Sequence, residues 1–117
     1  MALRVKRVYE DPEEDDGKRI LVDRIWPRGI SKDKARLADW RNELAPSNEL
    51  RKWFGHDPDR WEEFKERYRA ELEEAGKIGD LRDIAQRAGE ENVTLLFGAK
   101  DTRHNNARAL EAFVGEV

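Results

Sequence analysis

The sequence predicts an α/β protein: a small three-stranded, partly parallel sheet packed with about five helices, in a single compact domain over residues 1–117. Three observations predict this class. Short apolar runs at residues 3–9, 19–24 and 93–97 have the length and composition of strands. Apolar residues at spacings of three and four fill most of the chain between the second and third runs, as in helices packed on a sheet. No linker or repeat divides the chain, which is long enough for one core.

The first two strands are predicted to be antiparallel neighbours. The acidic turn at residues 10–17 contains Pro12 and Gly17 and is too short for a helical crossover. The second strand, residues 19–24, has an unbroken apolar centre, which is typical of a strand buried on both faces. The first strand is expected to lie at an edge of the sheet.

A first helix is predicted from Ser31, a residue type that caps helix N-termini. Leu37, Trp40 and Leu44 would form its apolar stripe. Pro46 disfavours helical geometry at the residue before it and should end this helix. The pattern therefore predicts one helix across most of residues 32–44.

Three further helices are predicted before the third strand. Ser47 can cap the first of them, and Asp57 followed by Pro58 is a strong start signal for the second. Asp80 is expected to cap the third, with Gly89 closing it. The third strand, residues 93–97, is followed by a last helix, so strands two and three are predicted to pair in parallel through a right-handed crossover.

Composition narrows the classes of protein. The net charge of −3 argues against nonspecific DNA binding as the main function. With no cysteine and two histidines, neither disulfides nor a metal site is expected, and no motif calls for a cofactor. No apolar run has signal-peptide or membrane-spanning length, so a cytoplasmic protein with no membrane contact is expected. The many charged residues and single methionine resemble heat-adapted proteins.

Two groups of polar residues are expected to meet where strands two and three end, because the carboxyl ends of parallel strands share one edge. The first group is Asp23, Arg24, Trp26 and Arg28, and the second is Lys100, Asp101, His104, Asn105 and Asn106. The second group begins a helix, where free amides favour an anion. Arg24, Arg28 and Lys100 would bind the anion. Trp26 would form one wall of the binding site, and Asn105 would orient a polar group of the ligand. Asp23 or His104 would handle a proton. The alternative is that the arginines pair with carboxylates and have only the structural role of holding loops in place.

A third cluster contains Arg51, Trp53 and His56. His56 follows a glycine and precedes a carboxylate, where an imidazole can act as an acid or base near neutral pH. Alternatively, His56 has only a structural role, capping the C-terminus of the preceding helix. His104 could likewise be a solvent-facing residue in the first turn of its helix. The tryptophans beside arginines, Trp26 and Trp53, are candidates both for ligand contact and for the core.

Three stretches resemble the DUF488 family of uncharacterised proteins, in its YeaO-like branch. They are residues 21–29 (LVDRIWPRG), residues 44–56 (LAPS followed by LRKWFGH) and residues 94–107 (TLLF followed by KD and HNNA). The resemblance covers nearly the whole chain. It implies a soluble α/β fold and these motif positions, and it implies no particular activity.

The leading hypothesis is a protein that binds a small anionic ligand, phosphate- or nucleotide-bearing, at the carboxyl ends of its strands. The residues identify no reaction, so an enzyme and a binding protein are both retained. One alternative is a nucleic-acid-associated module that uses Arg24, Arg28, Arg51 and Lys52 as a basic strip. Another is an interaction protein, including a homodimer, anchored by Trp26 or Trp53.

Overall fold

A four-stranded parallel sheet forms the centre of the protein. The computed structural model describes all 117 residues, and the strand order across the sheet is β1, β4, β2, β3. The strands are β1 (Leu3–Arg7), β2 (Lys18–Leu21), β3 (Asp39–Trp40) and β4 (Val93–Phe97). The five helices are α1 (Lys32–Ala35), α2 (Asn48–Phe54), α3 (Trp61–Glu74), α4 (Ile78–Glu90) and α5 (Asn106–Glu116). The predicted α/β class is confirmed, with four strands instead of three.

The prediction that the first two strands are antiparallel neighbours was wrong. Both β1 and β2 pair in parallel with β4, one on each side of it. The connection at residues 8–17 contains a single 3-10 turn at Glu14–Asp16 and otherwise no regular structure. Ten extended residues can span roughly 33 Å, and returning along a five-residue strand takes about 17 Å. An extended segment can therefore make a parallel connection without any helix.

The helix predicted across residues 32–44 was also wrong. Arg36 has a φ of 47° and a left-handed conformation, which ends α1 after one turn. The chain then forms β3 on the outer side of β2, where the amides of Ala38 and Arg41 donate to the carbonyls of Arg19 and Leu21, each at 2.8 Å. Pairing with an open sheet edge replaces the helix that the spacing of apolar residues predicted.

Other predicted elements are confirmed. The strand at residues 93–97 has the predicted bounds, and its parallel pairing with β2 is present. Ser47 caps α2 by accepting a hydrogen bond from the Leu50 amide. Asp57 caps the turn at Pro58–Arg60 that leads into α3. The fourth predicted helix is present as α4, but it begins at Ile78, before the expected cap Asp80, and continues past its expected end Gly89 to Glu90.

The two faces of the sheet are covered unequally. One face packs on the larger core, to which α2 to α5 all contribute, including buried Phe54, Phe64, Tyr68 and Leu110. The other face carries a small cluster, which consists of Val8, Leu21, Ala35 and Leu96, with Trp26, Ile30 and Leu37 packed against it. No helix is both long enough and apolar enough to span a membrane. All peptide bonds are trans, including the one before Pro27.

Candidate functional site

A pocket of about 200 Å³ opens at the carboxyl ends of β2 and β4. Because these strands are adjacent and parallel, the segments that follow them lie side by side at one edge of the sheet. Residues from the α2 region and the start of α5 complete the pocket. Its polar lining residues are Asp23, Arg24, Arg51, His56, Asn105 and Asn106, and its walls include Ile25, Ala45, Pro46, Phe54, Phe64, Gly98 and Ala99.

Asp23 is the only carboxylate that lines this pocket. Its Oδ2 accepts the amide of Gly98 at 2.9 Å, and its Oδ1 accepts Asn106 Nδ2 at 3.2 Å. The same Asn106 nitrogen also donates to the Val22 carbonyl at 2.8 Å, so it joins the end of β2 to the start of α5. Burial raises the pKa of Asp23, and the hydrogen bonds from Asn106 and Gly98 and the charge of Arg51 offset this only in part. Asp23 is therefore a fixed carboxyl group with altered acidity.

Gly98 allows this arrangement because it has no side chain. A Cβ at this position would lie 3.0 Å from Asp23 Oδ2 and 3.5 Å from Pro27 Cβ. A Cβ at this distance would require the Asp23 carboxylate to shift by a few tenths of an ångström. Gly98 was not among the site residues predicted from the sequence, although a glycine directly after a buried strand is a signal for close approach of the backbone.

Arg24 both holds a loop in place and lines the pocket, two roles that the sequence left as alternatives. Its Nε donates to the Pro46 carbonyl at 3.1 Å, and its Nη2 donates to the Ala45 carbonyl at 3.2 Å. These bonds hold the turn before α2 against the end of β2. The Nη1 group has no hydrogen-bond acceptor in the protein, so part of the guanidinium is available at the pocket.

Arg51 extends from α2 and is exposed to solvent. Its hydrogen bond in the protein is a long contact of 3.4 Å from Nη2 to Asn48 Oδ1, and it forms no salt bridge. Its charge nevertheless reaches Asp23, since it contributes to lowering the pKa of that carboxyl group. Arg51 thus presents an unpaired guanidinium at the mouth of the pocket.

Asn105, at the start of α5, and His56, after α2, show how local sequence builds the site. Asn105 is buried, and its side chain caps α5 by accepting the Arg108 amide at 2.9 Å while its Nδ2 donates to the Asp101 carbonyl. His56 lines the pocket with a φ of 58°, and Gly55, not His56, is the C-terminal cap of α2.

His104 lies outside the pocket lining. Its Nδ1 is 3.0 Å from Asp101 Oδ2, and its ring packs edge-on against Trp61 with centroids 5.3 Å apart. The amides of Arg103 and His104 donate to Asp101, and these bonds, with the His104 side chain, hold the pKa of Asp101 below its ordinary value. His104 is therefore part of an ordered loop before α5.

Four other sequence candidates also lie outside the pocket lining. Trp26 belongs to the small cluster, where its Nε1 donates to the Ile30 carbonyl at 2.7 Å. Arg28 and Lys100 are exposed. Trp53 is half-buried, and the guanidinium carbons of Arg60 and Arg67 lie 5.2 and 4.3 Å from its ring centroid. The structure brings together Asp23, Arg24, Arg51, His56, Asn105 and Asn106 in the pocket lining, to which Trp26, Arg28, Trp53, Lys100 and His104 do not contribute.

No group of three or more His, Asp or Glu side chains is placed to hold a metal ion. The pocket can do two things chemically. Its guanidinium groups can bind an anion, and its fixed carboxyl group can accept or release a proton or accept a hydrogen bond.

The fold and this pocket define a small parallel α/β protein with a charged cleft at the carboxyl ends of its strands. The chain belongs to the family described as the inactive DUF488-N3 subclade, whose model matches residues 2–117. The resemblance to DUF488 and its YeaO-like branch is therefore confirmed.

Two relatives of this chain are described as uncharacterized proteins. The uncharacterized protein Rv3073c of Mycobacterium tuberculosis strain H37Rv is 49% identical over 108 residues, which cover 92% of this chain and 89% of the relative. The uncharacterized protein YeaO of Escherichia coli is 45% identical over 111 residues, which cover 94% of each chain. No solved structure matches the chain.

Proposed function

We propose that this protein binds a compact anionic ligand, carrying a phosphate or a similar oxyanion, in the pocket at the ends of β2 and β4. The observation that carries the proposal is Arg51, an unpaired guanidinium at the pocket mouth. Whereas two backbone carbonyls hold Arg24, the guanidinium of Arg51 has only a long contact with Asn48. Planar guanidinium groups bind phosphate and carboxylate oxygens through paired N–H donors.

Arg24 supports the same proposal from the inner side of the pocket. Its two bonds to backbone carbonyls hold the guanidinium in one orientation, so little side-chain entropy is lost when its remaining donors bind a ligand. The pocket volume of about 200 Å³ is below the roughly 300–1,000 Å³ of drug-sized sites. A phosphate with a few attached atoms fits this size better than a whole nucleotide.

Binding without turnover is the form of the function that we favour. The matching family is described as inactive, and the second proton-handling candidate, His104, is held by Asp101 outside the pocket. Asp23 then serves as a ligand contact and not as a general acid or base.

The main alternative is the nucleic-acid-associated strip of Arg24, Arg28, Arg51 and Lys52. Two of these four side chains, Arg24 and Arg51, line the pocket, and Arg24 is held by the carbonyls of Ala45 and Pro46. The net charge of −3 disfavours binding that depends on many contacts with phosphate backbones. The pocket is therefore the better candidate for the functional site.

The test is calorimetric titration of inorganic phosphate and sulfate into the wild-type protein and into Arg51→Gln. We expect the substitution to weaken anion binding by about tenfold or more, because a charged hydrogen-bonding group is lost. Lys52→Gln is the matched control, since it removes one positive charge from the neighbouring exposed position of the same helix. It should change binding by less than about twofold. Equal effects of the two substitutions, or no anion binding by the wild type, would overturn the proposal.

A further inference from the structure

Asp23 and Arg51 face the same pocket with opposite charges but do not form a salt bridge. They are near enough for the charge of Arg51 to act on Asp23. An acid and a guanidinium that share a small cleft without direct contact leave room between them for a third group. This geometry distinguishes the pocket from a plain anion site, in which a carboxylate would repel the ligand.

Asp23 also keeps unused hydrogen-bonding capacity. A carboxylate has about four acceptor positions, and the protein fills two of them, with the Gly98 amide and Asn106 Nδ2. These two bonds come from a backbone strand end and a helix start, so they fix where the carboxylate points. A ligand that presents only negative oxygen atoms to Asp23 would be disfavoured, whereas one with an O–H or N–H donor would be held.

We propose that the ligand is bifunctional: a short molecule whose oxyanion binds Arg51 and Arg24 and whose hydroxyl or amino group donates a hydrogen bond to Asp23. This inference rests on the proposed function and names the class of ligand for the same pocket. Polyol phosphates and small hydroxy or amino acids have this chemistry. The modest pocket volume requires the two groups to be only a few bonds apart.

Matched pairs of ligands test this inference directly. Racemic glycerol 1-phosphate and propyl phosphate carry the same anion and differ in two hydroxyl groups, and lactate and propionate differ in one. In at least one pair the wild-type protein should bind the hydroxylated member about tenfold tighter, as measured by calorimetry.

Asp23→Asn gives a second prediction, in which the affinity for the ligand without hydroxyl groups increases. The amide has nearly the same shape as the carboxyl group but no charge and one acceptor oxygen fewer. The variant should lose most of the preference for the hydroxylated ligand and should bind propyl phosphate tighter than the wild type does, because a nearby negative charge is removed. Lower affinity of the variant for both members would contradict the assigned role of Asp23.

The outcomes separate the two proposals. Equal wild-type affinities within both pairs, with measurable binding, would overturn the bifunctional ligand and leave anion binding intact. Absence of binding by the wild type to all four ligands and to inorganic phosphate would overturn both. The comparison within pairs needs only the wild-type protein, so the inference stays testable even if Asp23→Asn does not fold.

Discussion

Asp16 and Arg19 are the most deeply buried oppositely charged side chains in the protein, and they form an ion pair on the sheet face that carries the small cluster. They are 2% and 4% exposed, and Lys6 Nζ lies 3.2 Å from Asp16 Oδ1. Burial would raise the pKa of Asp16, but the amide of Glu13 and the side chains of Arg19 and Lys6 together hold it below its ordinary value. The sequence indicated an acidic turn here and did not single out Asp16.

Asp16→Asn is expected to lower the free energy of unfolding by about 3 kcal/mol at pH 7, because it leaves Arg19 charged, buried and without its partner. Chemical denaturation monitored by tryptophan fluorescence measures this. Glu13→Gln is the control: it breaks an ion pair with the same Lys6, but Glu13 is 70% exposed, so its effect should stay below about 1 kcal/mol.

The same variant has a defined pH dependence. A folded-state pKa below the ordinary value of 3.8 means that Asp16 stabilises the fold above that pH and loses this contribution as the pH falls further. The difference in stability between wild type and Asp16→Asn should therefore shrink on titration from pH 7 to pH 3. A difference that stays constant or grows on acidification would show that charge is not the cause.

Individual elements show where local signals suffice and where they do not. α2 lies close to its predicted position because its cap and its end are both local: Ser47 accepts the Leu50 amide, and Gly55 adopts a left-handed conformation. The segment from Ser31 has an equally good cap, but α1 lasts only four residues. Hydrogen bonds to the edge of β2 decide the conformation of the following residues, and no local pattern encodes that edge.

Two serine caps with different surroundings give a prediction for these elements. Ser47 also donates its amide and hydroxyl to Glu71, at 2.9 and 2.6 Å, so Ser47→Ala should cost about 2 kcal/mol, the upper end for caps. Ser31→Ala removes an exposed cap from the short α1 and should cost about 0.5 kcal/mol. Thermal unfolding of both variants measures the difference. Equal costs would mean that the contact with Glu71 adds nothing.

The molecule as a whole is built around β4, whose five residues are all buried and which is flanked on both sides by paired strands. β3 lies at the opposite extreme, a two-residue strand at an exposed edge. The free energy of local opening is therefore expected to be high for β4 and low for β3, since segments with few buried contacts open without global unfolding.

Native-state hydrogen exchange tests this distribution. The amides of Ala38 and Arg41 are hydrogen-bonded to β2, as that of Val22 is to β4. All three amides therefore have a backbone hydrogen-bond acceptor, so differences between their exchange rates report local opening. The first two amides should exchange at least about 100-fold faster than Val22. Comparable rates would mean that β3 unfolds only with the whole sheet.

The sequence by itself determined the α/β class, the bounds of β4, the cap of α2, the parallel pairing of β2 with β4, and the edge of the sheet at which Asp23 and Asn106 meet. These features follow from residue periodicity, from caps that act within a few residues, and from the rule that parallel strands end together.

Only the tertiary structure decided the rest. It placed β1 beside β4, turned residues 39–40 into an edge strand, and put Arg51 at the pocket mouth while directing Trp26 into the small cluster. It also revealed Gly98, whose missing side chain lets Asp23 reach the backbone. The physical reason is common to all of these: each depends on contacts between residues distant in the chain, and neither spacing nor composition specifies which distant surface a segment will meet.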